Sequence, residues 1–385
     1  MSGLDLKGLS TRPAQVWGGV RLVPLVRDEP ITDLRLDARI YGGHGLVEVD
    51  ERTEYFSYIP HGFVASWGYS DSPTAAYGTQ LRAVGEPDRP FDCIPVRAHR
   101  RMARRAGTKR LRFLPLHLAL EGYLALHFGG PEIVWEEWSY RAVAQGLSPR
   151  VEEAYVGAAV NGLAEALQVF EIHHGQCGVL VYVADTLAAA FAVPHPADYR
   201  ALHTTLVNDL YGELIYHYGV LSMPLQDFEA ALDGTRVRSL ADLRAQAREQ
   251  HDAWVRFHDG VMADHLLDGR YTHETVYDLG PYRLSRLLPS FELRRENHLA
   301  ETITDASGTL AYLKTFRLSS NQVRRGRLLT ALAASSWNLT DTAAALSLSL
   351  PRLVARLESA GFGHLLRQDV LDHYRSRARR ESAGG

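Results

Sequence analysis

The sequence predicts an α+β fold. A large mixed α/β domain covers residues 1–318, with a further division near residue 225 left open, and a small all-α helix-turn-helix module with a charged tail covers residues 319–385. Three observations predict this. Short β-like runs bounded by Gly and Pro recur at 20–26, 55–59, 63–67 and 179–183. Longer stretches at 151–169 and 239–267 carry apolar residues at helical spacing. Between residues 328 and 366, three short helical patterns follow one another with tight breaks.

Composition bounds the possibilities. With 385 residues and 46% hydrophobic content, the chain can bury one large core or two domains. A formal charge of −3 excludes a protein that is basic throughout. Lysine occurs only at Lys7, Lys109 and Lys314, a skew toward arginine that resembles GC-rich bacterial coding. Cys93 and Cys177 are far apart and neither sits in a C-x-x-C pair, so no disulfide scaffold is expected. The first residues have no apolar leader and no apolar run reaches ~18 residues, so a cytoplasmic protein with no membrane partner is expected.

Residues 20–26, VRLVPLV, read as a first strand after Gly18 and Gly19. A short strand is expected at 46–49, and an aromatic hairpin at 55–59 and 63–67 across Pro60, His61 and Gly62. Residues 68–90 are rich in Gly, Pro, Ser and Asp and read as a surface loop. Residues 97–112 form the densest basic run, in which Arg100, Arg101, Arg104 and Arg105 are candidates to hold phosphates of a nucleotide-like ligand or nucleic acid; a solvated helix is the alternative. Paired strands are expected at 111–116 and 123–128, with Trp135 and Trp138 anchoring the core beyond them. A buried strand at 179–183 turns at Asp185 and Thr186 and returns over 188–193, ahead of a helix at 199–216. In 239–267, Ala247, His251, Trp254, His258, Val261 and His265 recur as one helical seam. Its histidines are seven apart, ~10.5 Å along the axis, too far for one metal ion, so none is expected there. Residues 278–288 read as loop and short helix, and 300–304 with 310–316 as a hairpin around Asp305 to Gly308.

The last module opens with Leu328, Leu329, Leu332 and Ala333 and breaks at Ser335 and Ser336. Asn338 and Thr340 are candidate caps for a second helix, and Ser347, Leu348 and Ser349 make a turn. Ser349 caps a third helix over 350–360, with Pro351 in its first turn, Leu353 and Leu357 facing inward, and Gly361 at its end. Ser349, Arg352 and Arg356 fall on the face that would meet DNA, and Arg324, Arg325 and Arg327 flank the module as phosphate contacts. A charged helix follows over 369–380.

The run N-x-T-x-x-A-x-x-L-x-x-S-x-x-x-L-x-x-R-L-x-x-x-G, carried by Asn338, Thr340, Ala343, Leu346, Ser349, Leu353, Arg356, Leu357 and Gly361, resembles the Fis-type helix-turn-helix of bacterial regulators. It departs at Ser347, where that family usually has Gly, and at Ala355 and Glu358, where it is often basic. The resemblance implies DNA contact, with two arginines on one helix requiring a homodimer; dimerisation without DNA is the other reading. A second likeness lies upstream. G-V-R-L-V-P-L at 19–25, G-L-V-E-V at 45–49, G-Q-C-G-V-L-V-Y-V at 175–183 and F-A-V-P-H-P-A-D-Y at 191–199 resemble the ARPP domain of bacterial conflict systems, named for its association with ADP-ribosylglycohydrolases and rhodanese-phosphatases. That likeness spans roughly residues 15–220 and brings no catalytic residue with it.

Several chemistries leave no trace. The chain has no G-x-x-x-x-G-K-[ST], G-x-S-x-G or H-E-x-x-H and no Cys–His zinc spacing, so neither a cofactor nor a metal is expected. The most site-like stretch of the large domain is 170–178, where Glu171, His173 and Gln176 are candidates for acid–base chemistry at a helix–strand junction. The sequence thus points to a regulatory or defence-associated protein with a ligand-sensing domain and a DNA-binding end. An enzyme acting on a nucleotide or ADP-ribose-like substrate, and a scaffold that dimerises through its last helices, are the alternatives.

Overall fold

In the computed structural model the described residues are 6–36, 46–50, 53–58, 63–67, 73–77, 81–85, 93–95, 173–205, 223–225, 228, 230–258, 271–363 and 366–383. Outside them lie Arg100, Arg101, Arg104 and Arg105, the strands expected at 111–116 and 123–128, Trp135 and Trp138, the helix expected over 151–169, and Glu171. So do the far ends of the helices expected over 199–216 and 239–267.

The described chain begins with β1 (Ser10–Thr11), β2 (Gln15–Trp17), β3 (Val20–Val26), β4 (Leu34–Leu36), β5 (Leu46–Asp50), β6 (Thr53–Tyr58), β7 (Phe63–Trp67), β8 (Pro73–Tyr77), β9 (Leu81–Ala83) and β10 (Cys93–Pro95). It continues through β11 (Gln176–Val183), β12 (Thr186–Ala192), α1 (Pro196–Thr205), α2 (Leu240–Phe257), β13 (Tyr271–Leu279), β14 (Tyr282–Pro289), β15 (His298–Asp305) and β16 (Leu310–Arg317). It closes with α3 (Ser320–Ala334), α4 (Leu339–Ala345), α5 (Leu350–Ser359) and α6 (Gln368–Ala383). Antiparallel sheet and helices together make a mixed α+β protein.

Nine strands form one antiparallel sheet in the order β1-β3-β11-β12-β16-β15-β14-β13, with β2 pairing a second stretch of β3. Strand β3 is buried along its whole length, so VRLVPLV is apolar without strict alternation. Its Pro24 explains why β1 and β2 are two strands rather than one. The N–H and C=O of a residue in an antiparallel strand point to the same side, and the Pro24 carbonyl accepts from the Arg12 backbone N–H at 3.0 Å. The missing N–H therefore faces the interval between β1 and β2, and pairing with β11 on the other side is intact.

Strands β11 and β12 form a hairpin closed by Ala184 and Asp185, with φ of 48° and 58°. That turn sits one residue earlier than the sequence suggested, and its left-handed pair matches the twist of the flanking strands. Residues 278–288 are the second half of a hairpin, β13 with β14, and not a loop with a short helix. Gly280 with Pro281 makes the reversal, Gly280 having φ of 57°; the charges in 271–286 alternate along two strands and blur a helical reading. The hairpin of β15 and β16 forms as expected, and Asp305 accepts from the backbone N–H of Ser307 and Thr309, each at 2.8 Å.

A second sheet runs β10-β8-β7-β6-β5, and β4 pairs with β9. The aromatic hairpin is present as β6 and β7, with Tyr58 opposite Phe63. Residues 68–90, expected as a loop, contribute β8 and β9. Pro73 stands at the first position of β8, where a strand tolerates proline, and this disguised the strand.

Helix α2 is capped by Ser239, whose side chain accepts from the Asp242 backbone N–H. Trp254 and His258 face inward as expected, but Ala247 is exposed and Gln246 is buried in its place. A straight helix drifts ~20° per heptad, so a seven-residue seam does not hold its face without a supercoiled partner.

Helix α3 starts at Ser320, eight residues before the leucines that revealed it. Ser319 and Gln322 form a reciprocal capping box. Arg324, Arg325 and Arg327 therefore lie on the helix and not on an approach to it. All three of the next helix ends close alike. After α3, α4 and α5 the residues Ser336, Ser347 and Gly361 take φ of 50°, 54° and 84°. The N–H groups of Trp337, Leu348 and Phe362 reach back to the carbonyls of Leu332, Ala343 and Leu357 at 2.7, 2.9 and 2.8 Å. Asn338 caps α4 and Ser349 caps α5. Helix α6 is tied to α5 by Arg375, whose Nε lies 2.9 Å from both Glu358 oxygens.

Two apolar clusters divide the main sheet. One gathers Trp254 of α2 with Leu25, Leu180 and Leu313. The other joins Val181, Phe191 and Tyr312 to Tyr199 and Leu202 of α1 and to Leu329, Ala343, Leu353 and Leu357 of α3 to α5. The last helices thus share a continuous core with the sheet.

Candidate functional site

Helix α5 is amphipathic by position. Leu353, Val354 and Leu357 are buried, while Arg352 and Arg356 are exposed. Leu353 and Leu357 hold the helix against α4 and the sheet, and Arg352 and Arg356, each one residue earlier and so roughly 100° round the helix, share a neighbouring outward face about 6 Å apart. Ser349 is exposed, and its hydroxyl accepts from the Arg352 backbone N–H at 3.4 Å.

The three arginines of α3 take different positions. Arg325 is held inward: its Nε donates to the Ala360 carbonyl at 2.8 Å and its guanidinium lies over the Phe362 ring, 5.1 Å from the centroid. It thereby clamps the end of α5 to α3. Arg324 is exposed and donates to Asn321, and Arg327 is exposed with no ion-pair partner among the described residues. These three line a cleft of about 1110 Å³ together with Arg356, Leu328 and Gly361. A second hollow of about 600 Å³ shares Leu293 and Arg327 with it and adds Arg294 and Arg295. Sequence reasoning named these arginines of α3 and α5 as DNA contacts and not as the lining of a cleft, and it passed over the loop over 290–295 that completes the cleft, because that loop meets α3 only in three dimensions.

The acid–base candidates of the large domain fall elsewhere. Gln176 is buried: its Oε1 accepts from the His173 backbone N–H at 2.9 Å, and its Nε2 donates to Gly178 O and Tyr199 OH, both at 3.1 Å. It joins the loop, β11 and α1 as a structural bridge. The His173 side chain is half-buried beside it. Cys177 is also buried, and burial raises its thiol pKa to about 11 against the opposing pull of Arg27, so it stays protonated at neutral pH.

Sequence reading passed over a row of charge across the sheet. Arg286, Glu301 and Lys314 are cross-strand neighbours on β14, β15 and β16, and Glu274 of β13 lies opposite Arg286. Lys314 and Glu301 form an ion pair with side chains 3% and 0% exposed. Burial pulls the Lys314 pKa down, with Glu301 opposing. Such a row could be found only after the strands were paired, since the four residues span forty positions in sequence.

A mixed α+β protein whose last helices carry arginines at a cleft and along an outward helix face is the class this geometry defines. The chain belongs to the ARPP-2 family, whose model matches residues 4–280. That match takes in β1 to β13 and ends in the turn before β14, so the cleft lies beyond it. No curated protein and no solved structure matches the chain. Among the described residues, no helix is long and apolar enough to cross a membrane.

Proposed function

We propose that this is a bacterial defence-associated regulator that contacts DNA through α5, with the ARPP-2 region binding the signal it responds to. The observation that carries the reading is the pair Arg352 and Arg356, exposed on a helix whose neighbouring face is anchored by Leu353 and Leu357. The Fis-type pattern of residues 338–361 and the cap at Ser349 support it: in helix-turn-helix proteins the N-terminal half of the last helix enters the major groove. Two arginines per chain recognise few bases, so two chains would act together, and the −3 charge leaves attraction to DNA to local arginines.

The test is a fluorescence titration of the whole chain with duplex DNA over a salt series. Binding should weaken steeply with salt, and Arg352→Ala should lower affinity roughly 10-fold, matching ~1–3 kcal/mol for a base-contacting arginine, with the melting temperature nearly unchanged, since contacts of an exposed arginine contribute only ~0–1 kcal/mol. Leu353→Ala should instead destabilise the fold by ~2–5 kcal/mol. If no duplex binds at about 50 mM salt, where counterion release most favours binding, α5 is a protein-interaction surface.

A further inference from the structure

The cleft between α3 and α5 is not at the end of α5 that would read DNA. Ser349 and Arg352 stand at the helix N-terminus, whereas the cleft takes Arg356, Ser359, Ala360 and Gly361 from its other end. At 1.5 Å per residue, Ser349 and Gly361 lie about 18 Å apart along the axis. The cleft combines two kinds of lining. Arg324, Arg327 and Arg356 reach it without a carboxylate partner among the described residues, and Arg294 does the same in the adjoining hollow. Glu292, the acid of that wall, is paired with Arg295 at 3.1 Å. The lining also takes in Leu293, 51% exposed, with Leu328 and Leu346.

Uncompensated guanidinium groups favour phosphate, which they grip through paired N–H donors. An exposed leucine beside them favours a ligand that also offers an apolar or planar body. The backbone of a duplex offers phosphate alone, and a double helix is too wide for a hollow of this size. At about 1110 Å³ the cleft lies just above the ~300–1,000 Å³ usual for small-molecule pockets, room for a ligand the size of a nucleotide with its phosphates. We propose that the cleft binds a nucleoside polyphosphate, with phosphates on Arg324, Arg327 and Arg356 and the base against Leu293 and Leu346. Arg325 also lines the cleft and stays locked to the Ala360 carbonyl. Arg356 belongs to both the cleft and the outward face of α5, so, resting on the DNA reading above, a bound nucleotide would compete with DNA for this arginine.

Isothermal titration of the full chain with ATP, inorganic triphosphate and adenosine tests the proposal without any DNA present, so its result is independent of the DNA reading. ATP should bind, triphosphate more weakly, and adenosine weakest. Arg327→Ala and Arg324→Ala should each weaken ATP binding at least 10-fold with unchanged melting temperatures. Arg283→Ala, at an exposed arginine paired with Asp278, should change nothing. Absence of ATP binding up to millimolar concentration overturns the proposal, as does wild-type affinity in both cleft variants. Triphosphate binding as tightly as ATP, or adenosine equalling ATP, overturns the nucleotide assignment.

Discussion

Gln176 shows what a residue name can and cannot convey. Beside two histidines at a helix–strand junction, an amide reads as chemistry; in the fold it is 3% exposed, and both ends of the amide hold backbone or the Tyr199 hydroxyl. His298 is the opposite case, silent in sequence and unusual in place. It lies within the sheet opposite Arg317, near the Thr315 hydroxyl, and burial, aided by that arginine, pulls its pKa down to about 3. An unfolded histidine titrates near 6.5. As pH falls from there toward about 3, the unfolded chain takes up a proton that the folded chain refuses. Stability drops by about 1.4 kcal/mol per pH unit from this residue and is fully present above pH 6.5. Melting temperatures of wild type and His298→Gln between pH 7.5 and 4.5 should diverge in slope, the variant falling less steeply. Parallel slopes would mean that His298 titrates normally.

At the scale of elements, two caps and three local hairpins were legible, and the order of strands across the sheets was not. Asn338 and Ser349 each precede a helix with an oxygen aimed at its first free N–H groups, a local rule that needs no partner, whereas the cap of α3 at Ser319 was not picked out. The start of α3 was missed because its first eight residues are mostly polar, and polar residues carry no apolar period. The charge row of β13 to β16 depends wholly on register. Within it, Lys314→Met leaves Glu301 buried without its ammonium and should cost ~3–5 kcal/mol, whereas Lys314→Met with Glu301→Leu should recover most of that loss. Denaturant unfolding of the three proteins measures this. A single variant as stable as the double one would place Glu301 in contact with water.

At the scale of the molecule, the boundary at residue 319 is a matter of cooperativity. Leu318 and Val323 belong to the same apolar cluster as the sheet and α5. Phe291 presses on α3 so closely that a Cβ at Gly326 would lie 2.2 Å from its ring. That approach explains a glycine in mid-helix, where alanine would otherwise be favoured by ~1 kcal/mol. Gly326→Ala should therefore lower the melting midpoint, since the clash costs ~1–3 kcal/mol against that gain. Far-UV dichroism and tryptophan fluorescence should report one shared transition for the full chain. Two separate transitions, with only one moved by Gly326→Ala, would make residues 319–385 an independently folding module.

By itself the sequence determined what depends on neighbours in the chain: the buried runs of β3 and β11, the caps of α4 and α5, the breaks after α3 to α5, and the i, i+4 spacing that puts Arg352 and Arg356 on one face and Leu353 and Leu357 on the face beside it. Periodicity and capping act over a few residues, so they survive reading in one dimension. Tertiary structure alone decided how the hairpins join into one sheet, that Glu274 and Arg286 extend the charge of Glu301 and Lys314 across it, that Gln176 is interior, and that a loop at 290–295 joins Arg324, Arg327 and Arg356 around one cleft. Each of those joins residues far apart in the chain, and their energies exist only once the chain has closed the distance between them.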